Sequence, residues 1–263
     1  MSTPKIIYLA INLPKSVERR ALVEQQAQKA GITIEIVPAV AGADLTEEQR
    51  ALYDTRRRAS MYTTDLTANE QACMHSHLKA LRTFLASDAD YGVVFEDDVL
   101  LSEDFSAGID CLLHRVQGWE VAKLYNEKCR LYDICPPLKN APLQPVFPKK
   151  IPWGSIGYLY SRAGAEKIVR HLTSFWMGAD TMVAKTMLAH RIPVIGVTPN
   201  LVTTAFPANE QSDIDAGCHR LQQPRRPRTL LMYLRYRLSV LETAVQKARM
   251  RALLRRVIRT TEA

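Results

Sequence analysis

An apolar run, Gly92-Val93-Val94-Phe95, empties into three consecutive carboxylates, Glu96, Asp97 and Asp98, before Val99 resumes the apolar pattern. Three like charges side by side repel one another by on the order of 1 kcal/mol per pair even in wet surroundings. A cation seated on the cluster would account for it, and a divalent metal is the cation that hard carboxylate oxygens suit. A metal with open positions in turn invites an anionic guest such as a diphosphate. The competing reading is a solvated acidic turn that follows a strand. Position favours the metal, because ligands of open α/β sheets collect beyond the carboxyl ends of strands.

The elements that must hold this cluster can be read upstream of it. Lys5 to Ile11 is an apolar, β-leaning run that ends at Asn12-Leu13-Pro14, and Ser16 is placed to cap a helix containing Glu18 to Val23. Ile32 to Pro38 reads as a second strand, which completes a strand, helix, strand unit. After the loop Ala39 to Gly42, a helix is expected from Asn69 to Ser87, and a third strand from Tyr91 to Phe95 leads into the carboxylates. The fold class expected is therefore α/β, with a mostly parallel sheet flanked by helices. There is no glycine-rich phosphate loop of the dinucleotide or P-loop kind. A nucleotide would have to be held by metal and side chains.

A chain of 263 residues with 47% apolar content supports one large core. Cys73, Cys111, Cys129, Cys135 and Cys218 form neither a CxxC pair nor an even set, which suits reduced thiols. The first ten residues lack a cleavage pattern, and no apolar stretch approaches the ~18 residues of a membrane span. The chain is expected to be neither exported by a standard signal nor membrane-spanning.

The net charge of +8 is concentrated at one end. From His219 to Ala263, 12 Lys and Arg stand against Glu242 and Glu262, so the tail is +10 and the rest is −2. A polar, proline-punctuated linker, Gln222 to Arg228, divides a body of residues 1–221 from a tail of 222–263. Leu231, Leu234, Leu238, Leu241, Val245, Ala248 and Ala252 recur at helical spacing, and arginines fill much of the rest. Such a C-terminal basic amphipathic helix suits the surface of an anionic membrane. Docking on the body and pairing with another chain as a coiled coil, hence a homo-oligomer, are the other readings. No nucleic-acid partner is expected, because no recognised motif accompanies the basic residues.

In series, these segments resemble glycosyltransferase family 25, the bacterial lipooligosaccharide transferases and their collagen galactosyltransferase relatives. The resemblance runs through Ile11-Asn12-Leu13 with Glu18-Arg19-Arg20, Ala39 to Gly42, and Asn69 to Cys73 with Ser76-His77. It continues through Val94 to Val99, Trp153-Gly154-Ser155-Ile156-Gly157-Tyr158 with Ser161, then Asp180 and Gln211-Ser212. It implies a GT-A-like, Rossmann-type fold whose acidic triplet holds Mn²⁺ or Mg²⁺ on the diphosphate of a UDP-sugar donor. Asp98 is then the principal metal ligand and Asp97 a second, with Glu96 accepting from ribose or sugar hydroxyls. If strand geometry persists through the triplet, Glu96 and Asp98 share a face.

The same resemblance assigns Asn12 to a base edge and Arg19 or Arg20 to phosphate, one of the two arginines belonging to an exposed helix face. Glu70 and His77 become donor or supporting contacts. Gly154, beside the aromatic face of Trp153, gives a ligand room to approach, and Gln211, with Asn209 and Ser212, closes over the diphosphate. Asp180 is the general base for the acceptor hydroxyl; its alternative is the N-cap of the helix that follows. His75 and His77 are about 200° apart on a helix and cannot share a zinc ion.

The activity implied is metal-dependent, inverting transfer of a hexose, galactose first, to a glycan or glycolipid in lipooligosaccharide biosynthesis, at the inner face of the cytoplasmic membrane. Alternatives are a glucosyl- or N-acetylhexosaminyl-transferase, a metal-dependent phosphohydrolase, and a non-catalytic binding module on the same fold.

Overall fold

The structure is a computed structural model, and it describes residues 3–126, 130–148, 154–205 and 225–261. The N-terminal unit is β1 (Ile6–Asn12), α1 (Val17–Ala30) and β2 (Ile34–Pro38). Two short helices, α2 (Glu47–Ala51) and α3 (Thr55–Ala59), precede α4 (Ala68–Ala86) and β3 (Tyr91–Glu96). There follow β4 (Val99–Leu101), α5 (Phe105–Arg115), β5 (Val116–Gln117), β6 (Val121–Lys123), β7 (Leu131–Asp133), β8 (Gln144–Pro148) and β9 (Gly157–Ser161). The chain closes with α6 (Arg162–His171), α7 (Ala179–Ala189), β10 (Val194–Thr198), β11 (Val202–Thr204), α8 (Leu230–Val257) and β12 (Arg259–Thr260).

Eight strands form the central sheet in the order β2-β1-β3-β9-β6-β10-β8-β7. The expected parallel unit is there: β1 lies between β2 and β3 and runs parallel to both. The β6–β10 pair is parallel too, whereas β9 runs antiparallel to both its neighbours and β7 and β8 complete an antiparallel edge.

Helices cover both faces, so the central strands are apolar throughout and their side chains alternate between two cores. Leu9, Val94, Val121, Tyr158 and Tyr160 face α4, α6 and α7; Ala10, Val93, Phe95, Ala122 and Leu159 face α5 and the end of α8. The long helix α4 starts from a capping box, in which Thr67 accepts from the Glu70 amide at 3.2 Å and Glu70 accepts from the Thr67 amide at 2.8 Å.

The end of the tail belongs to the core. Met250, Leu254 and Ile258 are buried with α5, and β12 pairs antiparallel with β5. Gly118 permits this contact: its φ is +87°, and a Cβ there would lie 2.1 Å from the Val257 carbonyl oxygen. Among the described residues no helix is long and apolar enough to cross a membrane.

Candidate active site

Register brings the first two site residues together. Ile11 of β1 is level with Glu96 of β3, so the next residues out, Asn12 and Asp97, leave the sheet side by side. Asn12, 2% exposed, donates from Nδ2 to Asp97 Oδ2 at 2.8 Å and to the Ser16 carbonyl at 3.1 Å. Arg19, one turn into α1, donates to Asp97 Oδ1 at 3.1 Å. Arg19 therefore answers a carboxylate in this arrangement, while Arg20 pairs with Glu24 on the exposed face of α1.

The strand stops at Glu96, and Asp97-Asp98 is the turn into β4, so the alternation expected through the triplet ends at its first residue. Asp98 is held from the far side. Strand β4 pairs with β11, which sets Val99 opposite Thr204. Thr204 Oγ1 donates to Asp98 Oδ2 at 2.8 Å, and the Ala205 amide donates to the Asp98 carbonyl at 2.8 Å. The other carboxylate oxygen, Asp98 Oδ1, is buried without a hydrogen-bond partner among the described residues. Burial, and then the charge of Glu96, push the Asp98 pKa up to about 6 against the pull of the Thr204 bond.

Glu96 has its own counter-charge. His77, buried on α4, reaches Glu96 Oε1 from Nε2 at 3.3 Å. Burial opposes charge on His77, but hydrogen bonds to Cys73 and Glu96 outweigh it and raise its pKa to about 10. His75, two residues earlier, points elsewhere and contacts the Gln49 carbonyl at 2.9 Å. Glu70 is occupied in the capping box at the start of α4.

Asp180 lies in the first turn of α7, whose N-cap position is taken by Gly178. Its Oδ1 accepts from the Thr181 amide at 2.6 Å and hydroxyl at 3.2 Å, and its Oδ2 accepts from the Gly154 amide at 3.0 Å. Gly154 has φ +85°, and a Cβ there would meet only ordinary contacts, so backbone conformation is what asks for glycine. Its carbonyl accepts from Lys123 Nζ at 2.7 Å. Tyr158 lies buried between these groups and stacks on Tyr160, and burial above all, with nearby negative charge, drives its hydroxyl well up in pKa. Trp153 and Gln211, with Asn209 and Ser212, lie outside the described residues.

Two residues of this constellation were not among those expected. Lys123, 3% exposed at the end of β6, clamps the Gly154 carbonyl; a lysine inside Val121-Ala122-Lys123-Leu124 was the available signal. Thr204 carried no local signal, because only the pairing of β4 with β11 brings it to Asp98.

The residues suit a hard divalent cation. Asp98 offers a buried acceptor oxygen that nothing described in the chain satisfies, and Asp97 stands beside it as a second hard carboxylate oriented by Asn12 and Arg19. Among the described residues no three His, Cys, Asp or Glu side chains form a metal-sized group.

The family model described as glycosyltransferase family 25 (LPS biosynthesis protein) matches residues 5–183. No curated protein matches the sequence. Solved structures that are distantly similar include two glycosyltransferases. One is a glycosyltransferase involved in the glycosylation of the major capsid of PBCV-1, at 13% identity and TM-score 0.38, over 73% of this chain and 81% of that one. The other is a Drosophila β-1,4-galactosyltransferase 7 mutant in complex with manganese, UDP-Gal and xylobiose, at 9% identity and TM-score 0.41, over 88% and 79%.

Proposed function

We propose, since the chain belongs to glycosyltransferase family 25, that it transfers a hexose from a UDP-sugar to a glycan hydroxyl, with Asp98 and Asp97 as the residues that would hold Mn²⁺ or Mg²⁺. The observation that carries the reading is Asp98 Oδ1, an acceptor oxygen buried without a partner among the described residues, between Glu96 and β11 and beyond the carboxyl ends of β1 and β3. A divalent cation, when bound, supplies positive charge to the leaving diphosphate.

The chain's own residues do the rest of the work. Asn12 and Arg19 fix Asp97, and Thr204 fixes Asp98, so the carboxylates are oriented before any donor arrives. Glu96, 32% exposed and braced by His77, accepts hydrogen bonds from ribose or sugar hydroxyls. Asp180 takes the proton of the attacking hydroxyl on the side opposite the leaving group, which makes the transfer inverting. Its bonds to Thr181 and Gly154 hold the carboxylate in place for that task.

Galactose is the donor sugar favoured by the family resemblance, and glucose or an N-acetylhexosamine would need only a different sugar pocket. The lipopolysaccharide-biosynthesis description of the family model supports an acceptor glycan carried on lipid at the inner face of the cytoplasmic membrane. The test is turnover. Purified protein is given UDP-galactose, UDP-glucose and UDP-N-acetylhexosamines with lipooligosaccharide-type acceptors, with Mn²⁺ and again with EDTA, and both UDP release and glycan product are measured. Metal-dependent product from one donor is expected. Metal-independent turnover, or UDP release without glycan product, would contradict the proposal.

A further inference from the structure

The tail helix is turned the opposite way from an ordinary docked amphipathic helix. Over the middle of the helix the face toward the body is polar: Ser239 and Thr243 receive hydrogen bonds from Lys185 of α7 at 3.3 and 2.8 Å. The leucine stripe faces outward. Leu230, Leu231, Leu234, Leu238, Leu241 and Val245 are 48–74% exposed, and among the described residues Val17 is the one exposed large apolar side chain outside this helix. Exposure of several adjacent leucines is unfavourable by about 25 cal/mol per Å² of apolar surface left in water, and contiguous patches of this kind mark interaction surfaces.

Charge indicates what covers the stripe. At 100° per residue, the stripe is centred near Leu234 and Leu241, with Arg237 and Arg255 along one flank and Arg235, Arg249 and Arg256 along the other. All five arginines are exposed, and so are Arg225 and Arg228 just before the helix. Glu242 is the one acid in α8. A second copy packed stripe to stripe would set arginine flanks against arginine flanks. A layer with an apolar interior and anionic headgroups answers both features together.

We infer that the outer face of α8 is a docking surface for an anionic lipid bilayer, with the helix lying in the plane of the interface. Its C-terminal end is fixed in the core by Met250, Leu254 and the β12–β5 pair, so the helix is a rigid part of the body and the bilayer meets the protein in one orientation. Helix α7 lies against α8 through Lys185 and carries Asp180 in its first turn, which ties the docking face to the proposed base. This deepens the reading of a lipid-carried acceptor and rests on it for its purpose. Its test is separate, because binding is measured without donor or acceptor.

The experiment is flotation of the full chain with vesicles of equal parts phosphatidylglycerol and phosphatidylethanolamine, and with vesicles of phosphatidylcholine alone. Truncation is avoided because the end of α8 is core. Wild type should float with the anionic vesicles and far less with the neutral ones. Arg235→Ala with Arg237→Ala should weaken partitioning by about twenty- to thirty-fold, and Leu234→Ser with Leu238→Ser and Leu241→Ser should abolish flotation. Since these side chains are exposed, the thermal unfolding midpoints should match wild type. Absence of wild-type binding overturns the inference. So does binding that needs the arginines but not the leucines, the mark of a general polyanion site. A dimer that the leucine variant dissolves, without vesicle binding, would assign the face to a second copy instead.

Discussion

At the carboxyl ends of β1 and β3 almost every charged group has its partner inside the chain, whereas the outer face of α8 carries leucines and arginines that the body does not cover. Asp97 is held by Asn12 and Arg19, Glu96 by His77, and Asp98 by Thr204, and among the described residues the buried oxygen Asp98 Oδ1 is left over. On α8 the unsatisfied feature is a whole surface. The scale of what is left over matches the scale of the proposed partner. One buried oxygen calls for an ion, and a stripe flanked by arginines calls for an interface.

The comparison breaks first at Asp98. Asp98→Asn keeps the acceptor for Thr204 and removes the charge, so transfer should fall by about 10²–10³-fold, the size of losing a main electrostatic contact in the transition state, with the unfolding midpoint unchanged or raised. Equal loss of fold and activity would make Asp98 a structural residue. Asp180→Asn is the next largest. It retains one acceptor oxygen, enough for either the Gly154 or the Thr181 amide, but cannot take a proton, and kcat should drop by at least about 10²-fold with a stability loss of only about 1 kcal/mol. An unchanged kcat would reduce Asp180 to a latch on the Gly154 loop.

Arg19→Ala tests whether the inner charges are truly answered from within. Leaving the mostly buried Asp97 with one partner fewer should cost about 1–3 kcal/mol in urea unfolding, and a silent substitution would show that Arg19 is available to the donor phosphates instead. The smallest effect is at Glu70. Glu70→Gln preserves the capping box and should change little, while Glu70→Ala should cost about 1 kcal/mol of stability and leave KM for the donor unchanged. A raised KM in the glutamine variant would restore Glu70 to the donor site.

What could be read from the sequence follows how local the cause is. The βαβ unit, α4 and the exit of β3 were legible because apolar runs, caps and the carboxylate triplet lie within a few residues of one another. Asn12 and Asp97 could be suspected together once β1 and β3 were taken as parallel neighbours. Thr204 could not, because a strand pairing across about a hundred residues sets it against Asp98. The strand's end at Glu96, which puts Asp97 and Asp98 together in the turn into β4, was hidden for the same reason. In the tail, periodicity gave the helix and its stripe but not the direction the stripe faces. That direction is set by Met250, Leu254 and the β12–β5 pair at the far end, which fix the helix's rotation about its axis.

The most direct test of the central claim is calorimetric titration of Mn²⁺ together with UDP into wild-type protein and into Asp98→Asn. UDP should bind wild type only with the metal present, and the variant should bind neither at the same concentrations. Metal-independent UDP binding to wild type, or undiminished Mn²⁺ binding by the variant, would contradict it.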